Sequence, residues 1–449
     1  MTDTYTESRQ HELRRRRLLM IDGNLAVNAC NVDAGQSVRV YEHGYWGFAS
    51  TGSDGAHSTA GSLRDKATAN ARAMSWFGPR TPLSLPGSGH QGRHVFQGKP
   101  ALTQRECIER LASLHAWCRG RYPALTSTQL MLMDEHHAKN VQTSTGADAL
   151  SSIQRAACYI TLTAEGEDGA PVELTERISG KGSIADLDLS VEALAATIDR
   201  LHEHLQAKRI AVPAIGGQHT VVMGPDLAGI LAHEAMGHPC EADLVLGGAV
   251  TRDLVGQRVA SELITMVDFA HTYEGEETIV PVYADDEGVP ARDAVLIERG
   301  ILREFMSSRE TAARLGIEPT GSARAYLPDD EPLVRMRNTA ILPGSSRLDD
   351  MIADVDRGYL LLMTANGQAD STTEFMFAIT LGYEIERGRI GRAIRDTTVS
   401  GSAIKVLQAV DAVSDDMAWS AAGYCGKKQP MVVSFGGPAI RTRAHLGGA

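Results

Sequence analysis

Residues 225–241 read Pro-Asp-Leu-Ala-Gly-Ile-Leu-Ala-His-Glu-Ala-Met-Gly-His-Pro-Cys-Glu. Pro225 and Asp226 suit the first turn of a helix, and Leu227, Ile230 and Leu231 make an apolar stripe along it. Glu234, seven positions after Leu227, falls on that stripe, where a carboxylate is costly unless it finds a partner such as a water held by a metal. His233 and His238 flank it. Two imidazoles around one carboxylate are what a hydrolytic zinc site needs: neutral nitrogen ligands for the ion and a base for a water. The familiar pattern, H-E-x-x-H, sets its histidines four apart on one helix face. Here they are five apart, and at about 100° per residue a regular helix would aim them roughly 140° from one another. Gly237 and Pro239 offer an escape. The helix is expected to end at 236–237, with Pro239 biasing His238 toward extended backbone so that its ring swings back.

A catalytic zinc takes three protein ligands and keeps one position open, so a third donor is needed. Cys240, Glu241, Asp243 and His271 are near in sequence. Cys425 is distant, in Ala-Gly-Tyr-Cys-Gly-Lys-Lys, where two lysines would favour the thiolate that binds metal. On the residues alone, Cys425 and Glu241 rank equally. Three other groups, His11-Glu12, Glu135-His136-His137 and His202-Glu203-His204, are expected on solvated faces.

The rest of the chain sets the frame. Its 449 residues exceed what one core usually holds, so two domains are expected. With 44 Lys plus Arg against 56 Asp plus Glu, the net charge of −12 argues against a general nucleic-acid binder. Short apolar stretches follow the basic run 14–17, interrupted by Asp22, Asn24 and Asn28. Neither a secretory signal nor a membrane anchor is expected, and the cytoplasm is the expected location. Six scattered cysteines without CxxC spacing read as reduced and mostly buried.

Helices are expected over the alanine-rich segment 66–77, from 104 on Ile108, Leu111, Leu114 and Trp117, and from Val191 to Leu205. Cys158, Ile160 and Leu162 alternate with Tyr159, Thr161 and Thr163, which marks a half-buried strand. The Gly- and Pro-bearing segment 212–218 is the expected boundary between domains at 1–217 and 218–449. Beyond it, 294–302 and 382–390 each carry Glu-Arg-Gly between apolar residues and read as two separate hairpins. The turn Asp285-Asp286-Glu287 is read as a solvated hairpin, and Arg324 and Arg337 as surface arginines without an assigned role.

These blocks together resemble the TldD/PmbA family of metallopeptidases, in its TldD-like, metal-binding branch. The resemblance rests on Val221-Val222-Met223-Gly224-Pro225-Asp226-Leu227-Ala228-Gly229, on 233–243 and on Asp285-Asp286-Glu287-Gly288-Val289-Pro290. It continues through Pro319-Thr320-Gly321, Arg335-Met336-Arg337-Asn338-Thr339, Leu342-Pro343-Gly344 and Gly423-Tyr424-Cys425-Gly426-Lys427. In the first half, Gly47-Phe48-Ala49-Ser50 and the helix behind it look similar too. It covers about 400 residues in order, far more than one hexapeptide.

The resemblance implies an α+β architecture, a mixed α/β N-terminal domain followed by a β-rich C-terminal domain carrying a zinc-binding HExxxH helix. It implies His233, His238 and Cys425 as zinc ligands, which breaks the tie with Glu241, and Glu234 as catalytic base. It further implies amide hydrolysis in short or unstructured peptides, such as modified-peptide antibiotic precursors and small antitoxin proteins. The implied assembly is a dimer with a PmbA-like paralogue lacking the metal motif, or a homodimer, in which this chain is the catalytic subunit. Family members carry a run of glycines where this chain reads Thr364-Ala365-Asn366-Gly367-Gln368-Ala369-Asp370, and Lys428-Gln429-Pro430 also departs from the usual pattern. The 364–370 departure keeps open a dedicated amide hydrolase acting on a small peptide-like intermediate of a secondary-metabolite pathway. A non-catalytic assembly subunit with a structural metal is the third reading, and Glu234 speaks against it, because a closed site has no use for a base.

Overall fold

The computed structural model describes residues 4–52, 60–78, 80–87 and 89–447. Strand β1 (Tyr5–Ile21) holds the basic run, and β2 (Asn24–Glu42) returns along it through Asp22-Gly23. Both turn residues have positive φ, 48° and 80°, as a tight two-residue hairpin demands. With β3 (Tyr45–Gly52), β4 (Gln91–Val95), β5 (Ser127–Thr143), β6 (Asp148–Glu165) and β7 (Pro171–Lys181), they form a seven-stranded sheet. Its order is β3-β2-β1-β5-β6-β4, with β7 also on β6. The expected strand lies inside β6, with Cys158, Ile160 and Leu162 buried.

Helix α1 (Ala60–Met74) begins earlier than the expected 66 and ends in a 3-10 turn at Ser75–Phe77. It crosses β3 so closely that a Cβ on Gly47 would lie 1.9 Å from the carbonyl oxygen of Ala67. Helix α2 (Gln104–Arg121) starts at a capping box of Thr103 and Glu106, and α3 (Val191–Arg209) at Ser190. They lay Leu111, Leu114, Ile198 and Leu201 on Leu130, Leu132, Ile160 and Leu162 of the sheet.

The two ends of this sheet bury opposite faces. Near the helices β5 buries Leu130 and Leu132; farther along it buries Glu135, His137 and Lys139, the other parity of the strand. Two expectations are corrected here. His11 and the 135–137 group are not solvated: His11 Nε2 lies 3.1 Å from His137 Nδ1, and His137 Nε2 lies 2.7 Å from Glu135. The Asp285-Asp286-Glu287 turn, expected in solvent, is buried against the same face. Asp286 accepts from Lys139 at 2.7 Å and pairs with Arg9, while Glu287 pairs with Arg39 at 2.5 Å. The cations that neutralise the turn come from strands more than 140 positions away, so burial becomes affordable only in the folded chain. Of His202-Glu203-His204, only Glu203 is exposed; the histidines are half-buried on Tyr122 and Tyr383.

From β8 (Gly217–Met223) onward the chain builds two more large sheets. In one, β8 runs parallel to Arg357–Ala369 and antiparallel to Ile440–Leu446. The other has Met266–Phe269 and Asn338–Ile341 at its centre. The two Glu-Arg-Gly segments are hairpins, turning at Arg299-Gly300 and Arg387-Gly388 with positive φ throughout, and they lie in different sheets. Arg324 and Arg337, read as surface residues, are buried. Arg337 Nε donates to Asp268 at 2.7 Å, and both side chains are wholly enclosed. The architecture is mixed α/β and rich in strand. Among the described residues no helix is long and apolar enough to cross a membrane.

Candidate metal centre

The segment quoted first packs between the two C-terminal sheets. Gly224 caps α4 (Pro225–Ile230), with Pro225 in its first turn and Leu227 buried, as the residues require. The expected end at 236–237 does not occur. The backbone widens into a π-helix over Leu231–Gly237 and tightens to a 3-10 turn at His238–Cys240. His238 has φ −58° and ψ −49°, helical values rather than extended ones, and its N–H donates to the carbonyl oxygen of His233. A bond spanning five residues takes more residues per turn, so positions five apart come round to one side. The two rings stand edge to face with centroids 5.3 Å apart. The same widening leaves Glu234 half-buried instead of on the enclosed stripe, with Oε2 3.6 Å from His238 Nε2.

Cys425 arrives from the hairpin Tyr424–Lys427 and Gln429–Val432. Its Sγ lies 3.3 Å from His238 Nε2, and one donor atom each from His233, His238 and Cys425 falls within 4.8 Å of the others. Burial pushes the Cys425 thiol up, but the imidazoles of His233 and His238 outweigh it and bring it to about 5. The largest effects that lower it come from the imidazoles, not from the neighbouring lysines. Lys427 Nζ instead meets Asp243 at 2.9 Å and Glu241 at 3.1 Å. Arg335 secures the hairpin, donating to the carbonyl oxygens of Cys425 at 2.7 Å and Gln429 at 2.8 Å.

The remaining candidates have other work. Glu241, fully buried, accepts from His238 Nδ1 at 2.8 Å, which leaves Nε2 as that ring's free donor atom. Burial raises the Glu241 carboxyl, but His238 and Lys427 outweigh it and hold it at about 2. Cys240 is buried with its thiol pushed up to about 12, and His271 stacks on Tyr283 with centroids 4.5 Å apart. Sequence reading weighed Glu241 only as a candidate third ligand, level with Cys425 until the resemblance set it aside, and missed its orienting part. The signal was its position three residues after His238, within one helical turn.

The donor set fits zinc. Two imidazoles and a thiol inclined to ionise are N/S ligands of the right number for a site with an open position. The Nδ1 of His233 is buried without a hydrogen-bond partner. Beside it, the Phe435 ring centroid lies 6.1 Å from that of His233. Phe435 also lines a cleft of about 220 Å³ with Arg177, Asp226, Leu362, Met363 and Trp419.

Residues 216–446 match the family described as PmbA/TldA metallopeptidase C-terminal domain. A metalloprotease of Methanothermobacter thermautotrophicus is 31% identical over 451 residues, 99% of this chain and 95% of that one. A zinc metalloprotease TldD homolog of Saccharolobus solfataricus is also 31% identical, over 92% of this chain and 89% of its own. The crystal structure of TldE from Thermococcus kodakarensis superposes with a TM-score of 0.77 at 18% identity, over 100% of this chain and 97% of that one. At that identity the likeness is one of fold.

Proposed function

The chain belongs to the PmbA/TldD metallopeptidase family, and from that premise we propose that it is a zinc-dependent peptidase hydrolysing amide bonds in short or unstructured peptides. The observation that carries this reading is the convergence of His233, His238 and Cys425 with the Glu234 carboxylate alongside. In it, 1–217 and 218–449 are the two domains, and the second holds the ion. When bound, zinc would supply Lewis acidity, polarising a peptide carbonyl and making water a better nucleophile near neutral pH. The His233 and His238 rings and the Cys425 thiolate would hold the ion, and Glu241 holds the proton on His238 Nδ1. Glu234 takes a proton from the attacking water and returns it to the leaving amine. The cleft beside Phe435 is where an extended peptide would approach.

The chain would act as the TldD-like subunit, in the cytoplasm, paired with a PmbA-like paralogue or with itself. The fold shared with TldE supports that pairing. Metal content by plasma mass spectrometry tests the centre: about one zinc per chain in wild type, lost in Cys425→Ala. Glu234→Gln keeps the zinc and loses turnover. Full zinc occupancy in Cys425→Ala would refute the ligand set.

A second reading, a dedicated amide hydrolase for one small peptide-like intermediate, draws on the 364–370 segment. There the pairing of Arg357–Ala369 with Glu374–Glu386 slips between Thr364 and Gly367, and Arg177 donates to the Thr364 carbonyl oxygen at 2.9 Å. A panel of unrelated unfolded peptides separates the two: cleavage of several favours the peptidase.

A further inference from the structure

The thiol of Cys425 is placed by a strip of chain, 421–424, that the N-terminal sheet grips carbonyl by carbonyl. Arg155, on β6 and 3% exposed, donates through Nη1 to the carbonyl oxygens of Ala421 and, at 2.6 Å, Gly423. The hydroxyl of Tyr159, four residues farther along the same strand, donates to the carbonyl oxygen between them, that of Ala422. From β7, Ser179 Oγ accepts from the Ala421 N–H at 2.9 Å. Arg155 is held in turn: its guanidinium carbon lies 4.4 Å from the Tyr424 ring centroid, and Nη2 lies 3.6 Å from Glu135. The hydroxyl of Tyr424, the residue next to Cys425, donates to the same Glu135 carboxylate.

A loop of backbone carbonyls at the surface would find water, and its geometry would drift. Here Ala421 and Ala422 are buried and Gly423 is half-buried, and the carbonyl of each takes a protein donor from a different sheet from the histidines. The histidines ride on the helical segment after β8; Arg335 holds the hairpin at Cys425 itself, whereas the strip that leads into the thiol is referred to β5, β6 and β7. A three-donor centre needs those two frames in register to within a fraction of an ångström. We infer that Arg155, braced by Glu135, is a positioning residue for Cys425, so that affinity for a thiolate-seeking divalent metal depends on the N-terminal sheet. This rests on the proposed His-His-Cys centre.

Cobalt is a suitable probe, because a thiolate ligand gives a sulfur-to-cobalt charge-transfer band that imidazoles alone do not. Apo full-length wild type, Cys425→Ser, Arg155→Gln, Arg155→Lys and Tyr159→Phe are titrated with cobalt, with thermal melts in parallel. Outer partners of metal ligands typically change affinity by about 10–100-fold. Arg155→Gln should bind cobalt that much more weakly and with a reduced band per bound metal. Arg155→Lys, which keeps the charge, should recover part of the loss. Tyr159→Phe, which removes one hydroxyl and keeps the ring, should show a smaller fall in the same direction. Lys208→Met removes a buried cation paired with Asp396 elsewhere in the fold and should lower the melt without moving the band. A folded Arg155→Gln with wild-type affinity and band overturns the inference. If that variant does not fold, an unchanged band in Tyr159→Phe overturns it. Absence of the band in wild type, or its survival in Cys425→Ser, instead refutes the ligand set itself, and the inference falls with it.

Discussion

The amide N–H of His238 donates to the carbonyl oxygen of His233, so the two residues that carry the imidazoles are themselves the ends of one π-helical turn. This bond converts a five-residue spacing, which a regular helix would scatter, into two rings 5.3 Å apart. The wide turn is packed from outside: a Cβ on Gly237 would lie 2.3 Å from Met336 Sδ.

Gly237→Ala should therefore destabilise the protein by about 1–3 kcal/mol, the usual cost of forcing a methyl into a filled core. Cobalt binding should weaken with it, since the helix must shift to make room. Adding Met336→Ala should restore part of both. A double-mutant cycle on urea midpoints measures the coupling, and strict additivity would show that the crowding is not felt.

Glu241 should govern the acid sensitivity of the metal-free protein. Its carboxyl sits at about 2 in the fold against an ordinary 4.5, so the unfolded chain binds more protons between those values. The stabilisation is complete above about 4.5 and is lost as pH falls toward 2. Stability of wild type should drop through that window more steeply than that of Glu241→Gln, as chemical denaturation at stepped pH would show. The same variant should bind zinc about 10–100-fold more weakly, because His238 Nδ1 loses its carboxylate.

The Arg337–Asp268 pair, enclosed on all sides, should be costly to break singly. Arg337 also donates to the carbonyl oxygens of Thr320 at 3.0 Å and Arg292 at 2.9 Å, and Asp268 accepts from Thr339 at 2.9 Å. Arg337→Met leaves a buried carboxylate without its cation and should cost about 3–5 kcal/mol. Equilibrium urea unfolding reads this directly. A loss under about 1 kcal/mol would mean that water reaches the site.

Zinc removal should lower thermal stability, because an ion that binds only the folded chain adds stability in proportion to the logarithm of its concentration over Kd. A chelator should lower the melting temperature of zinc-loaded wild type and leave Cys425→Ala unmoved. An equal shift in both would point to a metal bound elsewhere.

Several elements were legible before any coordinates. The spacing of Ile108, Leu111, Leu114 and Trp117 announces a helix from 104, Arg299-Gly300 and Arg387-Gly388 announce turns, and the apolar steps from Val191 to Leu205 announce a buried face. Each rests on a few neighbouring residues, which is why it survives removal from context. His233, Glu234 and His238 were equally visible as a group. The wrong readings of polar residues as solvated share one cause. Glu135, His137, Asp286 and Arg337 are polar side chains that the sequence assigns to water by default. Each is buried because a partner arrives from elsewhere in the chain: Tyr424 for Glu135, His11 for His137, Lys139 for Asp286 and Asp268 for Arg337.

The sequence by itself determined the helix start at Pro225, the imidazole-carboxylate-imidazole group and the chemistry that such a group supports. It also named Cys425 as a donor, on equal terms with Glu241 until family resemblance broke the tie. Only the tertiary structure decided that a π turn lets residues five apart converge, and that Cys425 closes on His238 from 187 positions away. It likewise decided that Glu241 orients a ring and that Arg155 secures the approach to the thiol. Local backbone preference is short-ranged and reads from neighbours, whereas the winding of a helix and the burial of a charge are settled by whatever packs against them.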